Sequence, residues 1–158
     1  MKTIKKQPAT AGFTLIEILI VIGIIAILAA IVLVAVNPAK QFAKANNAQR
    51  ASNINAILNA ISQYTVDSKG VLPILIPLTT AKPISSGSAN ANICLDLVPD
   101  YLPALPADPK QADQSISKTD CGPTSTYTTG YNISKDTDGR VTITAPSAED
   151  GATISVTR

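Results

Sequence analysis

The sequence contains no histidine and no tryptophan, and it has only two cysteines and 4% aromatic residues. A chain without imidazole lacks the general base of a Ser-His-Asp triad and the histidine ligands of many zinc sites. The 158 residues also contain no P-loop, glycine-rich nucleotide site or nucleophile motif. We therefore expect that the protein is not an enzyme and that it binds no cofactor.

Charged residues are scarce as well, at 15% of the chain, and the formal net charge is +2. Lys2, Lys5 and Lys6 precede the first acidic residue, Glu17. The other cations form no basic stripe with interleaved aromatic residues, which is the pattern that indicates nucleic-acid binding. We therefore predict no contact with nucleic acid.

Apolar residues are concentrated in one run, residues 13–36, which only Thr14, Glu17 and Gly23 interrupt. As a helix with a rise of about 1.5 Å per residue, the run is about 36 Å long, enough to cross a hydrocarbon core of about 30 Å. The lysines before the run, with no other before Lys40, predict a cytoplasmic N-terminus. A cleaved secretory signal is the alternative, but its apolar region spans only about 7–15 residues.

Glu17 places an ionisable side chain about one turn inside this apolar run. A carboxylate at the centre of a bilayer costs about 2.5–3.5 kcal/mol and is therefore treated as functional by default. The alternative interpretation is that the side chain simply reaches the cytoplasmic headgroups.

The string Gly12-Phe13-Thr14-Leu15-Ile16-Glu17, between a short basic leader and an apolar helix, resembles the processing site of type IV pilins and pseudopilins. The resemblance implies that a prepilin peptidase cuts between Gly12 and Phe13 and methylates the new amino terminus. It also implies that Glu17 pairs with the Phe13 amine of a neighbouring subunit during assembly on an inner-membrane platform.

The predicted fold class is α+β, a type IV pilin-like long N-terminal helix with a small antiparallel β-sheet head. Residues 1–12 are predicted to be a cleaved leader, and residues 13–36 a transmembrane helix that later forms the filament core. Residues 37–158 are predicted to be a periplasmic or extracellular head that includes the amphipathic half of the long helix. Asn37 and Pro38 suit the N-cap and first position of a helix, which predicts a break there.

An apolar stripe at helical spacing predicts a second helix that runs to about Val66, ends near Lys69-Gly70 and docks on a sheet. The stripe consists of Ile54, Ile57, Leu58, Ile61 and Tyr64. Polar residues are predicted to form the opposite face: Asn47, Arg50, Ser52, Asn55 and Asn59.

Eight prolines in residues 70–125 predict turns and irregular loops there, with an exposed loop at 85–88 and a short helix or turn at 94–101. Residues 101–109 resemble the loop of major pseudopilins of type II secretion systems, but the resemblance ends at Lys110. Three antiparallel strands are predicted at 125–134, 139–145 and 152–157, with a hairpin turn at 135–139.

Cys94 and Cys121 lie 27 positions apart in the segment predicted to be outside the cytoplasm, where disulfides form. A disulfide would stabilise the head by about 3–4 kcal/mol in the chain-entropy model, and two free thiols are the alternative. Many pilins close a comparable loop, so the resemblance favours a pilin over a major pseudopilin. Asp136 and Asp138 are calcium candidates, but turn chemistry is favoured and we predict no metal.

The sequence thus predicts a structural subunit of a type IV pilus-like filament, a helical homopolymer that is held in membrane lipid before assembly. The first alternative is a pseudopilin of a type II secretion or DNA-uptake system. The second is a single-span, membrane-anchored binding protein that does not polymerise. In that case Glu17 and the Gly12-Phe13 junction would be incidental.

Overall fold

The computed structural model describes residues 12–158 of the chain. Residues 1–11, which make up nearly all of the expected leader and include its three lysines, lie outside the described residues. The chain divides into two compact units, one that ends at Gln41 and one that spans Phe42–Arg158.

The first unit contains the apolar helix α1, Leu15–Val36, which begins at the N-cap Thr14. None of residues 15–36 is buried, and the helix is long and apolar enough to cross a membrane. It ends at Asn37, whose φ of 43° and ψ of 82° are left-handed. The predicted apolar helix and its end point are therefore confirmed.

The second helix, α2, spans Pro38–Asp67 and begins directly after that break. Asn37 Oδ1 accepts a hydrogen bond from the backbone N–H of Lys40 at 3.3 Å, which caps the first turn as predicted. At the other end, Gly70 has a φ of 90° and donates its N–H to the Thr65 carbonyl at 2.7 Å. This left-handed residue ends the helix because it satisfies a free carbonyl of the last turn.

The second unit contains six strands, β1 Lys82–Ser85, β2 Leu105–Pro106, β3 Ser115–Ile116, β4 Thr128–Lys135, β5 Val141–Ala145 and β6 Ile154–Thr157. Four of them form an antiparallel sheet in the order β1, β4, β5, β6. The predicted apolar stripe of α2 belongs to the same buried core as the inward-facing residues of the sheet. The α+β layout, a long N-terminal helix with a small antiparallel sheet, is as predicted.

Alternate residues of β4 and β5 point into the core. Ile133 lies opposite Ile143, and Ile143 lies opposite Val156 of β6. Ile133, Ile143 and Tyr131 are completely buried. The three predicted strands are confirmed, and each begins two or three residues later than predicted.

Residues 70–125 were predicted to form turns, irregular loops and one short helix or turn. Strand β1 and the short pair of β2 and β3 correct this prediction, because they lie in the same segment. β1 pairs with β4 at one edge of the sheet, and its Pro83 occupies a position that only an edge strand tolerates. Ser85, predicted to be in an exposed loop, ends β1 and is buried. The short helix α3, Cys94–Leu97, is where a helix or turn was predicted.

Candidate functional site

The Gly12-Phe13 junction lies at the start of the described residues, before α1. Phe13 is 84% exposed, and a side chain at Gly12 would meet no atom within 4 Å. Both residues of the junction are therefore exposed.

Glu17 forms a capping box with Thr14 at the start of α1. Glu17 Oε2 accepts hydrogen bonds from the Thr14 backbone N–H and from Thr14 Oγ1, both at 2.9 Å. In return, the Glu17 N–H donates to Thr14 Oγ1 at 3.3 Å. The carboxylate thus has partners within its own chain and lies at the positive end of the helix dipole.

The sequence analysis did not identify Thr14 as a partner of Glu17, although the signal is present. Thr followed three residues later by Glu, just before an apolar run, is the pattern of a capping box. The sequence analysis considered Glu17 as an acid that reaches the headgroups or pairs with the Phe13 amine of a neighbouring subunit, and not as part of a helix cap. The structure adds that Thr14 orients one oxygen of that acid toward the N-terminal end of the helix.

The large apolar side chains of α1 are 47–85% exposed. Gly23, Ala26 and Ala30 lie on one face of the helix, and a side chain at Gly23 would meet no atom within 4 Å. The helix therefore presents an apolar surface that either lipid or other helices can cover.

Cys94 and Cys121 form a disulfide, with their Cα atoms 5.5 Å apart. Cys94 begins α3, and Cys121 ends a 3₁₀ helix, Lys118–Cys121. Both cysteines are buried. The expected bridge is present, and it closes the proline-rich part of the head.

Asp136 and Asp138 lie in the turn between β4 and β5, and the Arg140 side chain donates hydrogen bonds to both carboxylates. Asp136 Oδ2 accepts from Arg140 Nε at 2.8 Å, and Asp138 Oδ2 lies 3.5 Å from Arg140 Nη2. Burial acts to raise the pKa of Asp136, but hydrogen bonds from Arg140 outweigh it, and the pKa lies below its ordinary value. Residues 12–158 contain no group of three metal-binding side chains. Both carboxylates thus accept hydrogen bonds from within the same turn.

Arg50 was predicted on the polar face of α2, and this prediction is wrong: its side chain is completely buried. Arg50 Nε lies 2.6 Å from Asp108 Oδ2, Arg50 Nη2 lies 3.1 Å from Oδ1, and Asp108 is 1% exposed. Arg50 Nη1 also contacts Glu149 Oε2 at 2.9 Å. Arg50 lies four and seven residues before Ile54 and Ile57, so helical spacing places it on the buried face, and only its polar side chain led to the wrong assignment. The two acids that pair with it lie far away in sequence, so the local pattern does not reveal them.

Glu149 connects three segments of the head: α2, the loop after β2, and the connection between β5 and β6. Its carboxylate accepts from Lys110 Nζ at 2.6 Å and from Asn46 Nδ2 at 2.9 Å. Hydrogen bonds from Lys110, Arg50 and Asn46, in decreasing order of effect, lower the pKa of Glu149 to about 2. These contacts attach α2 to the rest of the head.

Gly130 permits Asp108 to approach β4. Its φ is 78°, and a Cβ atom on it would lie 2.9 Å from Asp108 Cβ. The Asp108 N–H also donates to the Thr129 carbonyl at 2.7 Å. A residue with a side chain could not occupy this position without moving the buried ion pair.

Comparison with known families matches residues 8–33 to the prokaryotic N-terminal methylation motif. No curated protein and no solved structure matches the chain. The matched segment includes Gly12, Phe13, Thr14, Glu17 and most of the candidate membrane-spanning helix, which indicates a membrane-anchored protein. The chain therefore carries the prepilin signature of type IV pilins and pseudopilins, and its long apolar helix and small antiparallel sheet are consistent with the type IV pilin fold.

Proposed function

We propose that the protein is a structural subunit of a type IV pilus-like filament. A prepilin peptidase cuts between Gly12 and Phe13 and methylates the new terminus, and the subunit then polymerises through α1. The observation that carries this proposal is the methylation motif. The motif includes the capping box of Thr14 and Glu17 and continues into the apolar helix α1, none of whose residues is buried. Such a helix suits two surroundings in turn, membrane lipid and then other copies of itself.

Before assembly, the subunit crosses the inner membrane once, with the N-terminus in the cytoplasm and the head outside. The leader lysines support this orientation, because positive residues are retained on the cytoplasmic side. The buried disulfide supports it as well, since such bridges form outside the cytoplasm. An inner-membrane assembly platform then transfers subunits from lipid to the filament.

Cleavage would convert the Phe13 nitrogen into an amine and place a positive charge four residues before Glu17. Thr14 holds Glu17 Oε2 at the N-terminal end of α1, within reach of an amine on an adjacent helix. A buried carboxylate is tolerated when an opposite charge meets it in one register, so the pair would fix the stagger between subunits.

The mass of the N-terminal peptide tests processing directly. We expect the membrane-extracted protein to begin at a methylated Phe13. A chain that retains Met1, or one that is cut at another position, would contradict the proposal. A correctly cut chain that never forms filaments would instead support the non-polymerising membrane-anchored protein.

Two matched substitutions separate the charge of Glu17 from its capping role. Glu17→Gln keeps an acceptor for the capping box but removes the charge, and we expect membrane insertion without filaments. Thr14→Ala removes the capping side chain but keeps the charge, and we expect filaments to form. Normal filaments from Glu17→Gln would refute the pairing with the Phe13 amine.

A short pseudopilus of a secretion or DNA-uptake system is the second candidate, since the methylation motif is common to both kinds of subunit. The loop at residues 101–109 resembles that of major pseudopilins, whereas the disulfide favours a pilin. The two candidates differ in filament length. Electron microscopy of cells that express the chain, with secretion of a reporter protein measured in parallel, distinguishes them.

A further inference from the structure

The head exposes a cluster of apolar side chains in the chain that joins α2 to β1. Residues 70–81 contain no charged residue. We call residues 71–78 the apolar loop; four of its large side chains are exposed, and Ile74 is the most exposed of them at 88%. The other three are Val71, Leu75 and Leu78. Four exposed large apolar side chains within eight residues form a candidate interaction surface.

The apolar loop is attached to the core and to the sheet. Ile76 is 2% exposed and belongs to the core. The Thr79 N–H donates to the Lys135 carbonyl, and the Lys135 N–H donates to the Pro77 carbonyl, both at 2.8 Å. A cleft of about 420 Å³ lies between the loop and the turn after β4. The exposed side chains thus belong to a defined surface with a recess beside them.

A second exposed apolar side chain lies at the opposite end of α2. Phe42 begins the second unit and is 71% exposed. The helix rises about 36 Å between Phe42 and Val66. The head therefore carries an aromatic side chain at one end of α2 and the apolar loop at the other.

The size of the patch indicates which partner can cover it. Four such side chains amount to a few hundred Å², whereas a standard interface buries about 800 Å² on each partner. A patch of this size does not hold a partner from solution. Copies whose α1 helices already pack together have a high effective concentration, and for them a small contact is sufficient.

We propose that the apolar loop of one copy packs against Phe42 of another copy in the filament. This contact rests on the proposed function, because α1 must first bring the copies together. It joins opposite ends of α2, so it is heterologous and repeats along an open fibre. Residues 71–78 themselves contain no charged residue, so the aromatic ring meets no charge within the loop.

Cysteine crosslinking tests the contact in assembled filaments. One chain carries Ile74→Cys and the other carries Phe42→Cys, with the native disulfide intact, and both are expressed together and oxidised. We expect mixed dimers that join residue 74 to residue 42. Ser52→Cys, at an exposed position near the middle of α2, replaces Phe42→Cys as the control and should give none.

Crosslinks only between two Ile74→Cys chains would show a symmetric contact and overturn the proposal. The absence of any crosslink at residue 74 would also overturn it. A membrane occupant is tested with a fluorophore attached to Ile74→Cys in vesicles. Strong quenching by spin-labelled lipid, without the mixed dimer, would assign the loop to the membrane surface and overturn the proposal.

A charge in the loop gives an independent measurement. Ile74→Asp should lower the filament yield about tenfold or more, because burial of one isoleucine side chain changes an association constant by about that factor. Leu95→Asp is the matched control: Leu95 is 58% exposed on α3, and we expect a normal yield. Circular dichroism should show that both heads remain folded.

The outcomes separate this contact from the proposed function. Normal filaments from Ile74→Asp would overturn the contact and leave the filament proposal standing. If the unmodified chain is processed but forms no filament, both proposals are overturned. A tenfold loss with Ile74→Asp and a normal yield with Leu95→Asp supports both.

Discussion

The large apolar side chains of α1 are 47–85% exposed, whereas Ile57, Tyr131 and Ile143 of the head are completely buried. Both regions are rich in apolar residues, yet only the head buries them within one chain. The helix has a uniform apolar surface and the head has a patterned one. A uniform surface requires an external partner, while a patterned one folds on itself. The stability of the head and the burial of α1 thus depend on different contacts. A substitution that destabilises the head should therefore leave the burial of α1 unchanged.

The largest expected effect is the loss of the buried ion pair in the head. Arg50→Ala should lower the free energy of unfolding by about 3–5 kcal/mol, because it leaves the buried Asp108 carboxylate without its partner. Chemical denaturation of the full chain in detergent micelles measures the change. Arg140→Ala removes an exposed pair and should cost at most about 1 kcal/mol. Equal effects of the two substitutions would contradict this account.

Removal of the disulfide should have the next largest effect. Replacing Cys94 and Cys121 together by serine opens a loop of 27 positions and should destabilise the head by about 3–4 kcal/mol. Membrane extraction of α1 should not change, because the bridge lies entirely in the second unit. A double variant that folds normally but no longer enters the membrane would show that the two regions depend on each other.

Two glycines with similar backbone angles separate backbone strain from a packing clash. Gly130→Ala should destabilise the head by about 2–3 kcal/mol, because φ is 78° and the new Cβ would meet Asp108. Gly139 has a φ of 84°, but a Cβ atom on it would meet no atom within 4 Å. Gly139→Ala should therefore destabilise the head only by the backbone strain of about 1 kcal/mol. Thermal unfolding of the two variants measures the difference. The prediction is wrong if Gly139→Ala is the more harmful change.

The smallest expected effect is a loss of head stability in acid. The pKa of Glu149 is lowered from 4.5 to about 2 in the folded head, so the unfolded chain binds a proton first as the pH falls. The stabilising contribution is present above pH 4.5 and is lost as the pH falls toward 2. Glu149→Gln should make the unfolding midpoint less dependent on pH in this range. An unchanged profile would show that Glu149 does not contribute.

Local patterns in the sequence were sufficient to predict α1 and the ends of α2. A helix forms in the apolar run because backbone groups in an apolar environment must be satisfied within the segment. The Asn37 cap and the stop at Gly70 depend on residues three to five positions away, so both were predictable. The Thr14 cap of Glu17 has the same range and was equally readable, but we did not identify it.

Contacts between distant segments were not predictable from these patterns. Arg50 meets Asp108 and Glu149, which are 58 and 99 positions away, and no periodicity indicates such pairs. Strand β1 was missed because Pro83 disfavours a strand unless it lies at a sheet edge, and only the completed sheet defines its edges.

The sequence by itself determined the processing motif, the apolar helix and the charge within it, because these depend on composition and on neighbours along the chain. Only the tertiary structure decided which acids pair with Arg50, that Gly130 must lack a side chain and that the apolar loop is exposed. These outcomes depend on which segments meet in space, and neighbours along the chain carry no signal of such meetings.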